Sequence, residues 1–257
     1  MPLLDIKNIS IQFGGLSAVD NFSMSIGEND IYGLIGPNGA GKTTVFNMLT
    51  GVYSPDSGTI MFDGKSIAGM KPYDITRMRI ARTFQNIRLM KNLSVLDNVK
   101  ISFVSQTDYG LATSIFRLPA YFRQEKDTEK KSMALLKVFN LDGKKDEKAA
   151  NLPYGEQRRL EIARALATNP KLLLLDEPAA GMNPQETQEL TELIRWIREK
   201  FHIAILLIEH DMRLVMGVCE KIIVLDYGKI IAEGTPKEIQ SNPKVIEAYL
   251  GEEAPHA

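Results

Sequence analysis

Alternating hydrophobic and polar positions open the chain and predict short antiparallel strands. The alternation runs from Leu3 to Ile26, with a Gly14-Gly15 pair at the expected turn. A later strand, GTIMFDGK, follows the turn sequence SPDSG and is expected to return to the same sheet. These segments predict an N-terminal antiparallel β subdomain.

Three continuous apolar runs predict strands that are buried on both faces. They are Ile31 to Ile35, Leu172 to Leu175, and the run IAILLIEH that ends at His210. Such runs, without polar alternation, are typical of parallel sheets covered by helices. The stretch from Asn151 to Ala167 is predicted as a loop with Pro and Gly that runs into a helix, and a second helix is predicted from Pro184 to Lys200. The pattern therefore predicts an α/β core with a mostly parallel sheet.

Between about residues 91 and 168 the strand pattern gives way to helices joined by loops. We expect this stretch to form a helical subdomain within one domain that spans residues 1–257. It contains a run of aromatic and apolar side chains from Tyr109 to Phe122. That run either packs inside the subdomain or forms a docking surface for another protein.

Composition indicates an ordinary globular protein, 44% hydrophobic and 25% charged over 257 residues. The 31 basic and 32 acidic side chains give a net charge of -1, which does not favour nucleic-acid binding. A single cysteine, Cys219, excludes an internal disulfide, and its apolar neighbours favour a small core residue. There is neither a signal-peptide pattern nor an apolar run near the roughly 18 residues of a membrane span. We therefore expect a cytoplasmic protein that reaches a membrane only through a partner.

The stretch GPNGAGKTT, from Gly36 to Thr44, fits G-x-x-x-x-G-K-[ST] between a strand and a helix. Its glycines let backbone N–H groups and the helix N-terminus face an anion, and Lys42 adds a positive charge. The Thr43 hydroxyl can ligate a phosphate-bound Mg²⁺. Phe13 stands alone before the glycine pair, and either stacks on a nucleotide base or faces the core of the sheet. The residues of this loop that we expect to contact phosphate are Gly36, Pro37, Asn38, Gly39, Ala40, Gly41, Lys42, Thr43 and Thr44.

Two carboxylates follow the buried strand LLLL. Asp176 can hold Mg²⁺ through its water shell, and Glu177 can polarise the water that attacks a γ-phosphate. His210 ends the neighbouring strand, so it is expected at the same sheet edge, where it can contact the γ-phosphate or orient Glu177. Gln85 ends a further predicted strand, Ile80 to Phe84; it is either a functional side chain at that edge or a solvated surface residue. The carboxylate pair argues for hydrolysis.

The motifs GPNGAGKTT, RTFQ, LPYGEQRRLEIARAL, LLLLDEP, AAGMNPQE and IEHDMRLVM, in this order, resemble the ATP-binding subunit of an ABC transporter over essentially the whole chain. The segments FGGLSAV, RTFQNIRL, DEPAAGMNPQE and IEAYLGE most resemble the branched-chain amino-acid uptake type. The resemblance implies a P-loop NTPase core with ATP and Mg²⁺ as cofactors. It also implies a head-to-tail dimer that sandwiches two ATP molecules.

By this resemblance, Phe13 stacks on adenine, and Thr43, Gln85 and Asp176 surround Mg²⁺. Glu177, His210 and Gln85 assist hydrolysis. Tyr154, Gly155 and Glu156 belong to the signature, which faces the γ-phosphate of the nucleotide held by the other copy. Neither copy alone then has a complete site.

The signature departs from the common LSGGQ and reads LPYGE. Pro153 replaces a serine hydroxyl and has no N–H to substitute for it. Tyr154 replaces a glycine, and Glu156 stands where a glutamine would donate a hydrogen bond. We therefore expect slower hydrolysis or weaker ATP-driven dimerisation than the common signature gives. The loop from Ala179 to Asn183 also differs from the usual SALD pattern. Asn183 occupies the acidic position, which keeps polar contact across the dimer but removes a charge.

The resemblance also implies partners and a location. The partners are membrane permease subunits, a second ATPase subunit of the same or a related kind and, indirectly, an extracytoplasmic substrate-binding protein, with no nucleic acid. The chain is expected on the inner face of the cell membrane as a peripheral subunit. Branched-chain or other hydrophobic amino acids are the expected substrates; urea or amide uptake, envelope lipid export, and a soluble regulatory or mechanical ABC ATPase are alternatives.

Overall fold

The computed structural model describes residues 2–104 and 119–253. The chain divides into two compact units. The core unit runs up to Arg82 and resumes at Lys171, and the inserted unit is Thr83–Pro170. In the described part of the inserted unit, regular structure is helical apart from one β-bridge between Ser94 and Lys148. The expected helical subdomain at residues 91–168 falls within this unit.

A four-stranded antiparallel sheet forms the N-terminal part of the core unit. Its strands lie in the order β2-β1-β4-β5. The antiparallel pairing of β4 with β1 confirms that the GTIMF segment returns to the first sheet. The strands are β1 (Leu4–Phe13), β2 (Leu16–Ile26), β4 (Ser57–Phe62) and β5 (Lys65–Ser66).

A second sheet of six strands carries the predicted buried runs. Its order is β10-β9-β3-β8-β7-β6, with only β10 antiparallel to its neighbour. Every residue of β7 and β8 is buried, as continuous apolar runs predict. The strand β6 ends two residues earlier than predicted. The six strands are β3 (Ile31–Ile35), β6 (Ile80–Arg82), β7 (Leu172–Asp176), β8 (Ala204–Ile208), β9 (Lys221–Asp226) and β10 (Lys229–Gly234).

A side-chain cap marks the start of the helix at Pro184. Asn183 accepts hydrogen bonds from two N–H groups of the helix that it precedes, and Glu186 completes a capping box there. No helix in the two described ranges combines the length and the apolarity that crossing a membrane requires. The helices are α1 (Lys42–Leu49), α2 (Pro72–Arg77), α3 (Val95–Val104), α4 (Pro119–Val138), α5 (Tyr154–Ala167), α6 (Pro184–Phe201), α7 (Met212–Val218), α8 (Pro236–Gln240) and α9 (Pro243–Glu253).

Two further expectations concern single segments. Most of the aromatic run lies outside the described residues, which include its backbone only from Pro119; the side chain of Phe122 is exposed.

Cys219 is buried as a core residue, and burial strongly raises the pKa of its thiol because the thiolate is poorly solvated there.

The hydrophobic core of the core unit joins the two sheets to α1. Phe22 of β2, Phe46 of α1 and Phe62 of β4 are all fully buried, and they belong to one cluster with side chains of β7 and β8. Apolar packing against both sheets therefore holds α1, the helix that follows the glycine-rich loop.

We predict that Phe22→Ala lowers the free energy of unfolding by about 3–5 kcal/mol, because it leaves a cavity in this cluster. Leu16→Ala on the same strand is the control, since its side chain is 73% exposed, and it should change the free energy by less than about 0.5 kcal/mol. Urea titration measures both. Equal losses would contradict the proposed anchoring.

Candidate nucleotide-binding site

The loop from Gly36 to Gly41 lies so close to two strands that glycine is required at both ends. A Cβ on Gly36, whose φ is 145°, would lie 2.0 Å from the Leu225 carbonyl oxygen of β9. A Cβ on Gly41, at φ 103°, would lie 2.4 Å from the Ala18 carbonyl oxygen of β2. The N–H of Gly228, in the β9–β10 turn, donates to the Ala40 carbonyl at 3.0 Å. The loop is therefore held on two sides by backbone.

Lys42 begins α1 and folds back across this loop. Its Nζ donates to the carbonyl oxygens of Gly36 and Pro37, both at 2.7 Å. The residue before it, Gly41, provides no side-chain cap for the helix N-terminus. The loop therefore carries an ammonium group and lies at a helix N-terminus that has no side-chain cap. Together these two features form a site suited to a polyphosphate. The exposed Thr43 adds a hydroxyl oxygen, a ligand that Mg²⁺ accepts.

Phe13 ends β1 with 44% of its surface exposed, so it does not face the core. Its ring lies 5.1 Å from the ring of Tyr53 in an edge-to-face arrangement. Such a pair fixes the orientation of an exposed ring. Base stacking on Phe13 stays a prediction, and Tyr53 is a neighbour that the sequence pattern did not single out.

The ends of β7 and β8 bring the expected acidic and imidazole groups together. Asp176, the last residue of β7, is only 4% exposed. Glu177 follows in a left-handed backbone conformation, at φ 46°, and its N–H donates to the Ile208 carbonyl of β8 at 2.9 Å. The His210 Nδ1 lies 3.9 Å from a carboxylate oxygen of Glu177, near it but beyond hydrogen-bond distance. A non-glycine residue at positive φ stores strain, which is frequent at reactive positions.

Arg82 is a site residue that sequence reasoning missed. It ends β6, the strand beside β7, and its Nη2 lies 2.7 Å from the Asp176 Oδ2. Both side chains are 6% exposed. Its Nη1 also donates to the Asn47 Oδ1 of α1 at 2.8 Å. The ion pair compensates the burial of the Asp176 charge and connects the carboxylate to the helix after the phosphate loop. An arginine at the end of a strand next to LLLLD was the available signal.

The signature residues lie at the start of α5 in the inserted unit. Tyr154 is the first helical residue, and its hydroxyl lies 3.0 Å from an Nη2 of Arg158. Gly155 is buried, and the Glu156 carboxylate accepts two hydrogen bonds from Lys144, at 2.7 and 2.8 Å. The unusual tyrosine and glutamate of LPYGE are thus both engaged in bonds within their own unit.

Gln85 lies in the inserted unit, three residues beyond the end of β6, rather than at a strand end. The reason is that Arg158, fully buried, draws the backbone of this segment onto α5. Its guanidinium donates to the carbonyls of Phe84 and Gln85, at 2.6 and 2.8 Å. Glu161 accepts from the Arg88 N–H at 3.1 Å and pairs with Arg158. Burial raises the pKa of Glu161, against the opposing effect of these donors.

The strand–loop–helix cradle and the Asp-Glu pair on a parallel sheet define a P-loop nucleoside triphosphatase. The family model of ABC transporters matches residues 19–180, and that of branched-chain amino acid ATP-binding cassette transporters matches residues 229–255. The chain belongs to the ABC transporter family, as an ATP-binding cassette with the ATPase activity characteristic of these subunits.

Relatives agree with this assignment over nearly the full length. The chain is 47% identical to the high-affinity branched-chain amino acid transport ATP-binding protein LivG of Salmonella typhimurium, with 98% of both chains covered. It is 43% identical to BraF, of the same description, from Pseudomonas aeruginosa, again with 98% of both covered. The ADP conformation of an ABC transporter cassette superposes with a TM-score of 0.85 at 34% identity, covering 98% of this chain and 99% of that one. These matches confirm the family, the α/β P-loop fold and ATP binding.

Gly36→Ala is predicted to lower ATP affinity about tenfold or more, since the loop must shift to relieve both a clash with backbone and a strained φ. The control is Gly64→Ala, because Gly64 has a φ of 74° but nothing within 4 Å of the added Cβ. It should leave ATP affinity unchanged. Nucleotide titration of the two purified variants makes the comparison. Retention of parental affinity in Gly36→Ala would show that the loop tolerates a displacement.

Arg82→Met is predicted to lower the free energy of unfolding by about 3–5 kcal/mol, because it leaves the buried Asp176 carboxylate without its cation. Lys7→Met removes an ion pair of Asp5 whose lysine side chain is 68% exposed, and it should cost less than about 1 kcal/mol. Denaturant melts of both variants distinguish the buried pair from the surface pair. Similar losses would mean that Arg82 is not needed to compensate Asp176.

Proposed function

We propose that this chain is the energy-coupling ATPase subunit of an importer for branched-chain or other hydrophobic amino acids. The main observation is that a complete phosphate loop and the group of Asp176, Glu177 and His210 occur in one compact unit. The family membership and the likeness to LivG and BraF support the transport role. The match of residues 229–255 to the branched-chain type supports the substrate class.

In this proposal the loop from Gly36 to Thr44 holds the phosphates of ATP and Phe13 stacks on adenine. Thr43 and Asp176 would hold Mg²⁺, which neutralises charge on the phosphates. The oxygen donors of these side chains suit this hard cation. Glu177 accepts a proton from the attacking water, and His210 orients that carboxylate or contacts the γ-phosphate. The strained backbone of Glu177 supports a preorganised role, since strain persists only where neighbouring bonds maintain it.

The second half of the site comes from another copy or a related subunit. Tyr154, Gly155 and Glu156 begin α5, whose N-terminus would face the γ-phosphate of the nucleotide on the facing subunit. Pro153 is the N-cap of α5 and gives no side-chain cap, so the helix start keeps donors for an anion. The bonds of Tyr154 and Glu156 within their own unit support a positioning role for both, in place of the direct contacts that the common signature makes.

The remaining partners follow from the transport role. Permease subunits would dock on the helical subdomain at residues 91–168. An extracytoplasmic binding protein would select the amino acid. The chain would then lie at the cytoplasmic face of the cell membrane as a peripheral subunit.

Glu177→Gln is predicted to bind ATP with parental affinity and to lower the turnover number about a hundredfold or more, since glutamine cannot accept the proton. Glu192→Gln, on the exposed face of α6, is the control and should keep parental turnover. Phosphate release and nucleotide titration measure the two properties. Equal turnover in parent and Glu177→Gln would favour a regulatory nucleotide-binding module over an ATPase.

A further inference from the structure

We propose that Glu209 is a positioning residue that holds the turn carrying Glu177 and the turn carrying His210 in one fixed arrangement. This inference rests on the proposed function, because it assigns the two turns to the hydrolysis of ATP. Glu209 follows β8 and is 1% exposed. The apolar run that precedes it explains its burial, but an isolated buried carboxylate is costly and needs donors around it.

Three backbone N–H groups supply these donors, and they come from both turns. The Glu209 Oε1 accepts from Ala179 at 2.7 Å, and its Oε2 accepts from His210 at 2.9 Å and from Asp211 at 3.1 Å. All three are charge-assisted hydrogen bonds, and those from Ala179 and His210 are short. One side chain therefore joins the loop after β7 to the loop after β8.

The hydrogen bonds to Glu209 stabilise both turns. Glu177 has a φ of 46° and is followed two residues later by Ala179, whose N–H is the one that Glu209 accepts. On the other turn, Asp211 caps α7 through the N–H of Arg213 at 2.8 Å. The strained conformation at Glu177 is thus maintained by Ile208 from one side and by Glu209 from the other. The same carboxylate determines where the backbone of His210 lies.

A consequence is that the segment Ala179–Asn183 and His210 move together. Asn183 is the N-cap of α6, so this segment runs from the Glu209 bond directly into a capped helix. Under the proposed function, the facing subunit meets this segment. Contact there would be transmitted to His210 through Glu209, which makes hydrolysis sensitive to the presence of the second subunit.

Glu209→Gln is the test, because glutamine has the same shape but presents an amide NH₂ to at least one of the three N–H groups. The full-length protein should show a turnover number lower by about tenfold to a hundredfold, with the KM for ATP changed less than about twofold. The KM for ATP should change little because Glu209 makes its hydrogen bonds outside the phosphate loop. Glu238→Gln is the matched control, since Glu238 also accepts a backbone N–H, that of Thr235 at 2.7 Å, but outside the site. It should leave both constants unchanged.

A double-mutant cycle with His210→Ala tests the connection itself. Because Glu209 also holds the turn of Glu177, Glu209→Gln should still lower turnover in the His210→Ala background, but by a clearly smaller factor than in the parent. Multiplicative effects, or a raised KM with unchanged turnover number, would overturn the proposal. Glu209→Asp keeps the charge but is too short to reach both turns, and it replaces the glutamine variant in the cycle if that variant does not fold.

Amide hydrogen exchange separates this inference from the proposed function. Faster exchange at residues 179 and 210–211 in Glu209→Gln, with unchanged exchange at 235–240, is expected whether or not the parent hydrolyses ATP. Unchanged exchange at 179 and 210–211 would overturn the inference. Absence of hydrolysis in the parent would overturn the proposed function alone.

Discussion

The phosphate loop depends on a backbone clearance that only glycine permits. At residues 36 and 41 a Cβ would lie 2.0 and 2.4 Å from carbonyl oxygens of β9 and β2. These are contacts with main chain, which cannot move as a flexible side chain can. The loop therefore takes its shape from the two strands beside it, and Lys42 closes it from within. Phosphate binding is thus a property of the whole core unit, whose apolar cluster anchors β2, β9 and α1 together.

A second constraint is that two carboxylates are buried at the edge of the parallel sheet and need groups that compensate their charge. Asp176 and Glu209 lie there at 4% and 1% exposure. Asp176 is compensated by the guanidinium of Arg82, and Glu209 by three backbone N–H groups. Glu177, between them in sequence, remains more exposed and adopts a strained backbone. The buried carboxylates support the structure around the one that is available for chemistry.

Periodicity and spacing predicted the two sheets, the buried strands and the meeting of Glu177 with His210, because these depend on local patterns. They did not predict Arg82, Glu209 or Arg158. Each of these contacts a residue far away in sequence: Arg82 contacts Asp176, Arg158 contacts Gln85 and Glu209 contacts Ala179. In the sequence, polar residues at strand ends and on a helix resemble ordinary surface residues. Gln85 was expected at a strand end, but β6 stops at Arg82 and the next segment is bound to α5. The contact of the Tyr154 hydroxyl with Arg158 was not predicted either.

In the proposed function, one subunit binds ATP without a partner, while hydrolysis needs the signature of a facing subunit. The most direct measurement compares ATP affinity and turnover in a Gly155→Ala variant of the full chain, with Lys42→Ala as the reference for lost binding. We expect Gly155→Ala to keep the parental affinity for ATP and to lose turnover, because Gly155 belongs to the inserted unit and not to the loop. Loss of ATP binding in both variants would contradict this expectation.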